Sequence, residues 1–443
     1  MRNLALTRIS NNIMFLVISA LLFSCSDNES QKKDKVSNQF FLTELLERDK
    51  DLSYDEFIKI NQKYDGLKTQ YNKNNNDYAT LLKLAEIYIY EARVSGEHPY
   101  YYQAALQTLA EILKQEVNLS KDQHFTALFY KATVQLSQHN FNEALVTANT
   151  ALALNDKNAG IYGVLVDANV EIGNYDEAVK MCDKMMQIRP DLRSYSRTSY
   201  LRELHGDLDG SKKAMIMAIN AGAPYSEYKC WSIITLGNIF EAEGQLDSAK
   251  ICYDMALEER ANYPFGIAGK ARIEAKKENY AEANLLYNEA INILPEIGFN
   301  ISLAKLRKKE GKQEEVTKMV RDIETMFKED IESGHNMNLE YASFLMNFKS
   351  DYKTALELGL KEYQLRPHNI DVNKLLAFTY YGLKDTENAK KHLAIARATN
   401  KPDADLICLE GLIDNNTIEI KTALALNPYQ DHLFVNEAKS FMN

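Results

Sequence analysis

The chain is short of everything that breaks, staples or catalyses. It has 8 prolines and 18 glycines in 443 residues, which excludes collagen-like and low-complexity architectures. Its five cysteines, Cys25, Cys182, Cys230, Cys252 and Cys408, form no C-x-x-C pair and no Cys/His spacing suited to zinc. The last four read as small apolar residues on helices. The eight histidines are scattered and include no H-E-x-x-H. A nucleophile elbow, a Walker loop and a G-x-G-x-x-G turn are also missing. Carboxylate pairs are common, but they fall in turns and on solvated helix faces. The sequence therefore assigns no catalytic residue, metal ligand or cofactor, and predicts no enzyme. The net charge is −10 with no basic stripe, which argues against nucleic acid as a partner. There is one Trp against 26 Tyr, and Tyr suits half-buried positions with one wet end.

What is present begins with a short leader. Arg2 and Arg8 precede an apolar run of 11 residues, Ile13 to Phe23. That run is too short to span a bilayer as a helix, but it suits a secretory signal. It ends Leu22-Phe23-Ser24-Cys25, which resembles the lipobox of bacterial lipoproteins. The resemblance implies a signal peptide over 1–24 and lipid on Cys25, each buried methylene contributing about 0.8 kcal/mol to anchoring. Residues 25–37 are polar and read as a flexible tether. Their acidic start resembles that of surface-exported lipoproteins, and a periplasm-facing tether stands equally open. The expected location is the cell envelope, on the outer membrane.

Residues 38–77 show apolar spacings of 3–4 and read as an N-terminal helical cap. A repeat follows over 78–428. Small residues recur at Ala105, Ala144, Ala178, Ser211, Ala249, Ala283, Val316, Ala355 and Ala389. From Ala144 onward the gaps are 34, 33, 38, 34, 33, 39 and 34. Each anchor opens the second of two amphipathic helices and lets them approach; a large side chain there would overpack. Motifs such as Gly173-Asn174-Tyr175-Asp176-Glu177-Ala178 and Gly244-Gln245-Leu246-Asp247-Ser248-Ala249, with Pro190, Pro295 and Pro367 closing units, resemble tetratricopeptide repeats (TPR). An insertion at Val94 to Tyr101 and long gaps at Ala221–Pro224 and Phe327–Asn336 depart from the pattern. The resemblance implies an all-α fold: a right-handed superhelical α-solenoid of about 9–10 helix-turn-helix units. A C-terminal capping helix is expected over 429–443, centred on His432 to Met442.

In such an array the first helix of each unit lines the concave face. Its inward positions predict a partner-binding surface of Arg193, Tyr200, Glu203, Trp231, Asn238, Glu241, Phe265 and Arg272. Lys305, Lys308, Glu340, Phe344, Lys374, Phe378 and Tyr381 continue it. Aromatic, Arg and Asn side chains suit an extended peptide or a partner helix. Ile234, four before Asn238, replaces the Lys of a carboxylate clamp. The expected function is a lipid-anchored extracytoplasmic scaffold for a protein or peptide, within an envelope assembly or export complex. The alternatives are a SusD-like glycan- or nutrient-binding lipoprotein and, further off, an enzyme or enzyme-regulating subunit. The sequence leaves oligomeric state open.

Overall fold

The computed structural model describes residues 40–442. The leader, the tether and Cys25 lie outside the described residues. Residues 1–41 and 42–443 form separate units.

The second unit is helical, with no strand among the described residues. A single helix, α1 (Tyr54–Lys73), precedes ten helical hairpins. Hairpins 1 to 5 are α2 (Tyr78–Ser95) with α3 (His98–Leu113), α4 (Lys121–Ser137) with α5 (Phe141–Leu154), α6 (Ala159–Ile172) with α7 (Tyr175–Ile188), α8 (Leu192–Leu204) with α9 (Leu208–Ala221), and α10 (Glu227–Ala242) with α11 (Leu246–Glu259). Hairpins 6 to 10 are α12 (Pro264–Lys276) with α13 (Tyr280–Ile293), α14 (Ile297–Lys309) with α15 (Gln313–Glu332), α16 (Asn338–Lys349) with α17 (Tyr352–Leu365), α18 (Ile370–Gly382) with α19 (Thr386–Ala396), and α20 (Ala404–Asp414) with α21 (Thr417–Leu426). A short helix, α22 (Val435–Ser440), ends the chain. The molecule is an α-solenoid.

The anchors explain the hairpins. All nine sit on second helices and are buried, eight with no exposed surface and Val316 at 3%. Ser211 is accepted among the alanines because Ser199 Oγ donates to its carbonyl at 2.8 Å and lies 3.0 Å from its Oγ. Cys182, Cys230, Cys252 and Cys408 are buried free thiols on helices, as small apolar residues should be.

Three segments differ from expectation. The insertion at 94–101 is not a loop: α2 runs to Ser95 and α3 begins at His98, so it adds turns to both helices. Among the described residues, the cap has no helix before Tyr54. Its backbone groups are instead satisfied by tyrosine hydroxyls. Tyr64 and Tyr88 both donate to the Thr43 carbonyl (2.7 and 2.6 Å), and the Leu46 N–H donates to the Tyr101 hydroxyl (2.9 Å). Arg48 fastens the segment with two hydrogen bonds to buried Glu91, at 2.9 and 2.6 Å. At the other end, helix covers only Val435–Ser440 of the expected His432 to Met442.

The hairpins wind so tightly that successive windings touch, and the pattern is regular. The turn inside each of the first five hairpins sits on the linker that follows the hairpin five further on. Gly96 meets Leu294; the Asn336 N–H donates to the Gln138 carbonyl at 2.9 Å; Gly173 meets His368 and Asn369; Gly206 meets Asn400; Gly244 meets Pro428. Side chains reinforce the seam. Asn369 Nδ2 donates to the Glu171 carbonyl (3.0 Å), Asn427 Nδ2 to that of Ala242 (3.1 Å), and Lys401 pairs with Glu203 (2.7 Å). At the start of the chain, Arg260 donates to Ser53 (2.7 Å) and Glu56 (3.1 Å).

This seam decides where glycine is needed. Corresponding turns use Glu278, Ser350 and Lys384 at positive φ, so the left-handed conformation alone does not demand it. At Gly173 (φ 92°), however, a Cβ would lie 2.5 Å from the His368 carbonyl carbon. The next winding leaves no room for one.

Candidate functional site

The predicted surface residues fall into three places. The first is a stack of cations and rings. Trp231, on α10, is 43% exposed, and Phe265 meets it edge-on with centroids 5.2 Å apart. Arg93, from α2, lies over Trp231 at 5.6 Å and over Tyr228 at 4.7 Å. Arg193 covers Tyr228 at 5.3 Å. Arg93 also pairs with the buried carboxylate of Glu227. Arg193 is an exposed residue. Tyr228 and Arg93 were missed from sequence. Tyr228 was findable, since it lies three residues before Trp231 and shares its helix face. Arg93 was not, because the extra turn on α2 carries it beyond the usual inward register.

The second place is a polar knot that begins with a packing detail. Tyr253, on α11, is fully buried, and a Cβ on Gly237 or Gly269 would come within 2.6 or 2.7 Å of its ring. Those two glycines let the ring pass between α10 and α12. Its hydroxyl then donates to Glu241 (2.6 Å) and lies 2.8 Å from the Asn238 amide oxygen. Arg272 donates to Glu241 (3.0 Å), Asn238 (2.7 Å) and the Tyr253 hydroxyl (2.9 Å). Lys276 joins Glu241 at 2.8 Å. Burial works to raise the Glu241 pKa, but Arg272 and Lys276 outweigh it and the carboxyl is held below its usual range. Asn238, Glu241 and Arg272 therefore satisfy one another. Ile234 is buried in the core, so that register could not present a clamp lysine.

Tyr200 and Glu203 stand apart at the seam. Tyr200 packs beside Val166, Leu201 and Ile370. Its pKa is pushed well above the usual value by burial first, then by Glu171 and Asp371. Glu203 is paired to Lys401.

Further along, the inner face encloses a cavity of about 550 Å³, within the usual range for ligand pockets. Lys305, Glu340, Lys374 and Phe378 line it, as their register predicts. Phe141 and Glu171 line it too, from beside the turns of the other winding, and Arg366 joins them from the linker after hairpin 8. Phe344 and Tyr381 are core residues instead, 2% and 7% exposed. Lys308 is tied to the Asn347 carbonyl at 2.7 Å.

At the seam near this cavity, His98, His139 and His335 meet; the His335 ring lies 4.6 Å from His139 and 6.5 Å from His98. Both ring nitrogens of His335 are buried without a hydrogen-bond partner. No group of three His, Cys, Asp or Glu among the described residues is arranged to hold a metal ion. Burial first, then repulsion from the other two rings, lowers the His335 pKa to about 3. The folded chain thus holds the ring neutral. That stability is complete above the ordinary histidine pKa and drains as pH falls towards about 3. Asp330 and Glu296, raised to about 6 and about 7 chiefly by burial, act with the opposite sign, so a comparison with wild type is required. His335→Asn should cost stability at pH 7.5 and recover about 2 kcal/mol relative to wild type by pH 5. Urea unfolding at both pH values reads this; an unchanged difference would refute a ring held neutral.

The tetratricopeptide repeat family profile matches residues 135–197, which span α5, α6 and α7. Solved structures are similar at low identity. One, from a study of Pseudomonas aeruginosa PilF, is 14% identical, with 48% of this chain and 97% of that chain covered and a TM-score of 0.38. A TPR protein from Parabacteroides merdae is 17% identical, with 57% and 99% covered and a TM-score of 0.33. The Cut9-Hcn1 structure of the APC/C is 14% identical, with 87% and 76% covered and a TM-score of 0.42. No curated protein matches the chain. The chain is a solenoid of helical hairpins, of which residues 135–197 match the tetratricopeptide repeat profile.

Proposed function

We propose that the chain is a scaffold that holds a protein or peptide partner against its inner face, lipid-anchored through Cys25 in the cell envelope, on the outer membrane. The observation that carries this reading is the ring-and-cation stack. Arg193, Tyr228, Arg93, Trp231 and Phe265 converge on one stretch of the inner face, with Trp231 left 43% exposed. Arg and Trp are enriched among residues that dominate interfaces. A chain that only needed a packed interior would have little use for a half-exposed Trp beside an exposed Arg. Nothing needs to be turned over; the partner is retained by mass action on a preformed surface.

The stack also weighs against the sugar-binding alternative. The Arg93 guanidinium lies over one face of the Trp231 ring at 5.6 Å, which leaves less of the indole free for a sugar to stack on. Arg193→Ala combined with Trp231→Ala should abolish recovery of crosslinked partner from native envelopes while leaving helical circular dichroism unchanged. Undiminished recovery would move the site elsewhere, and glycan-array binding that the double variant loses would replace the protein reading. Cys25→Ser should release the chain from membranes; unchanged retention would remove the anchor. No helix among the described residues is long and apolar enough to cross a membrane, so membrane attachment in this reading rests on Cys25.

A further inference from the structure

The C-terminal segment does more than cap the last hairpin. After α21 the chain reverses, with Gln430 Nε2 donating to the carbonyls of Ala423 (2.7 Å) and Asn427 (2.9 Å). It then runs along the inner face. Asp431 reaches Lys305, on hairpin 7, at 3.9 Å. Leu433 packs among Leu339, Ala342, Met346 and Leu375 of hairpins 8 and 9. Phe434 stacks on Phe378 (6.0 Å) and meets Tyr381 edge-on (4.8 Å) on hairpin 9. Only beyond this does α22 settle on α20 of hairpin 10, with Glu437 accepting a bond from the Tyr381 hydroxyl of hairpin 9 at 2.7 Å.

Two parts of the tail differ in how well they are held. Phe434 is buried against the Phe378 and Tyr381 rings, and Ala438 is buried on α22. Asp431 is held loosely, whereas the His432 ring meets Phe378 edge-on at 5.6 Å and its Nδ1 accepts from the Phe434 N–H at 3.3 Å. The Asp431 side chain is 51% exposed at the outer limit of an ion pair, and His432 Nε2 is buried without a partner. The 550 Å³ cavity opens directly beside them. Among the described residues, Asp431 is the carboxylate within ion-pair distance of Lys305.

We propose that Asp431–Phe434 is an intramolecular stand-in for the ligand of this stretch. The ligand is a peptide segment carrying a carboxylate followed, two and three residues later, by an aliphatic and an aromatic side chain. It lies from hairpin 7 towards hairpin 9, with its carboxylate on Lys305, its aliphatic group among Leu339, Met346 and Leu375, and its ring on Phe378. This rests on the reading of the inner face as a peptide site and names the ligand's chemistry there. A tail tethered in cis acts at an effective concentration of about millimolar, so it competes with any such ligand.

The probe is a fluorescent peptide with the sequence of residues 428–436, titrated by anisotropy against the full chain. The wild type should bind it weakly. Leu433→Asp, which loosens the tail in cis, should bind at least tenfold more tightly. Lys305→Glu added to that variant should weaken binding, and a probe with Lys in place of its Asp should restore it. A folded Leu433→Asp chain that binds no better than wild type overturns the proposal. If Leu433→Asp loses its helical signal, Leu433→Ala with Asp431→Ala takes its place: the same gain in probe binding is expected, and its absence overturns the proposal equally. Partner recovery through the Trp231 stack is measured separately. Its loss in the Arg193/Trp231 variant alongside an inert probe sinks only the present proposal, whereas full recovery there sinks the broader reading.

Discussion

Arg366→Leu should destabilise the chain by about 3–5 kcal/mol, as removing one partner of a buried ion pair does. The Arg366 side chain is 6% exposed and lies over the Phe141 ring at 4.7 Å. Its Nε donates to Glu362, 1% exposed, at 2.8 Å, and one terminal nitrogen reaches Glu171 at 2.9 Å. Without the guanidinium, the Glu362 carboxylate keeps only the amides of Asn336 and Asn338, both 2.8 Å away. Glu171 already stands at a pKa of about 7, raised by burial and by Asp371 and Asp167 against the pull of Arg366. Losing that pull moves it further up. Because Arg366 and Glu171 belong to different windings, the variant should also expand in solution scattering. A loss below about 1 kcal/mol in urea unfolding would place this pair among surface ion pairs in energetic terms. Arg366→Lys should rescue little, since a point ammonium cannot serve both carboxylates with a fork.

Ala283→Trp should cost about 1–3 kcal/mol or more by overpacking. Ala283 has no exposed surface and sits in a cluster with Ala271, Tyr287, Leu303 and Leu306. Ala283→Ser is the milder control, and Ser211 shows what it lacks: a hydroxyl at an anchor is accepted where Ser199 supplies a partner. An unchanged melting transition for the Trp variant would mean that α12 and α13 do not meet at this residue.

The hairpins were legible because their determinant is local. A small residue every 34 or so positions reports close helix approach directly, and all nine anchors proved buried. The inner face was legible in part. Helical register found Trp231, Arg272, Lys305 and Phe378, but it also selected Phe344 and Tyr381. These lie in the core because register fixes a direction on one helix and not the depth of its neighbours. The segment before Tyr54 misled for a different reason. Its closely spaced apolar residues resemble a helix, while the tyrosine hydroxyls that satisfy its backbone come from α1, α2 and α3. The seam had no local sign. It depends on small rotations between hairpins that accumulate over five units, and no single spacing records them.

The seam bears on how long a ligand stays. On an open solenoid a bound segment can peel away sideways, so its residence time reflects its own contacts. Here the turns of the first five hairpins close against later linkers. A ligand held inside therefore departs by sliding along the axis or by waiting for a stretch of seam to part. The second route has a rate set by Gly173 and Asn369, seam residues that need never touch the ligand. Substitutions there should change dissociation rates more than the strength of the contacts themselves.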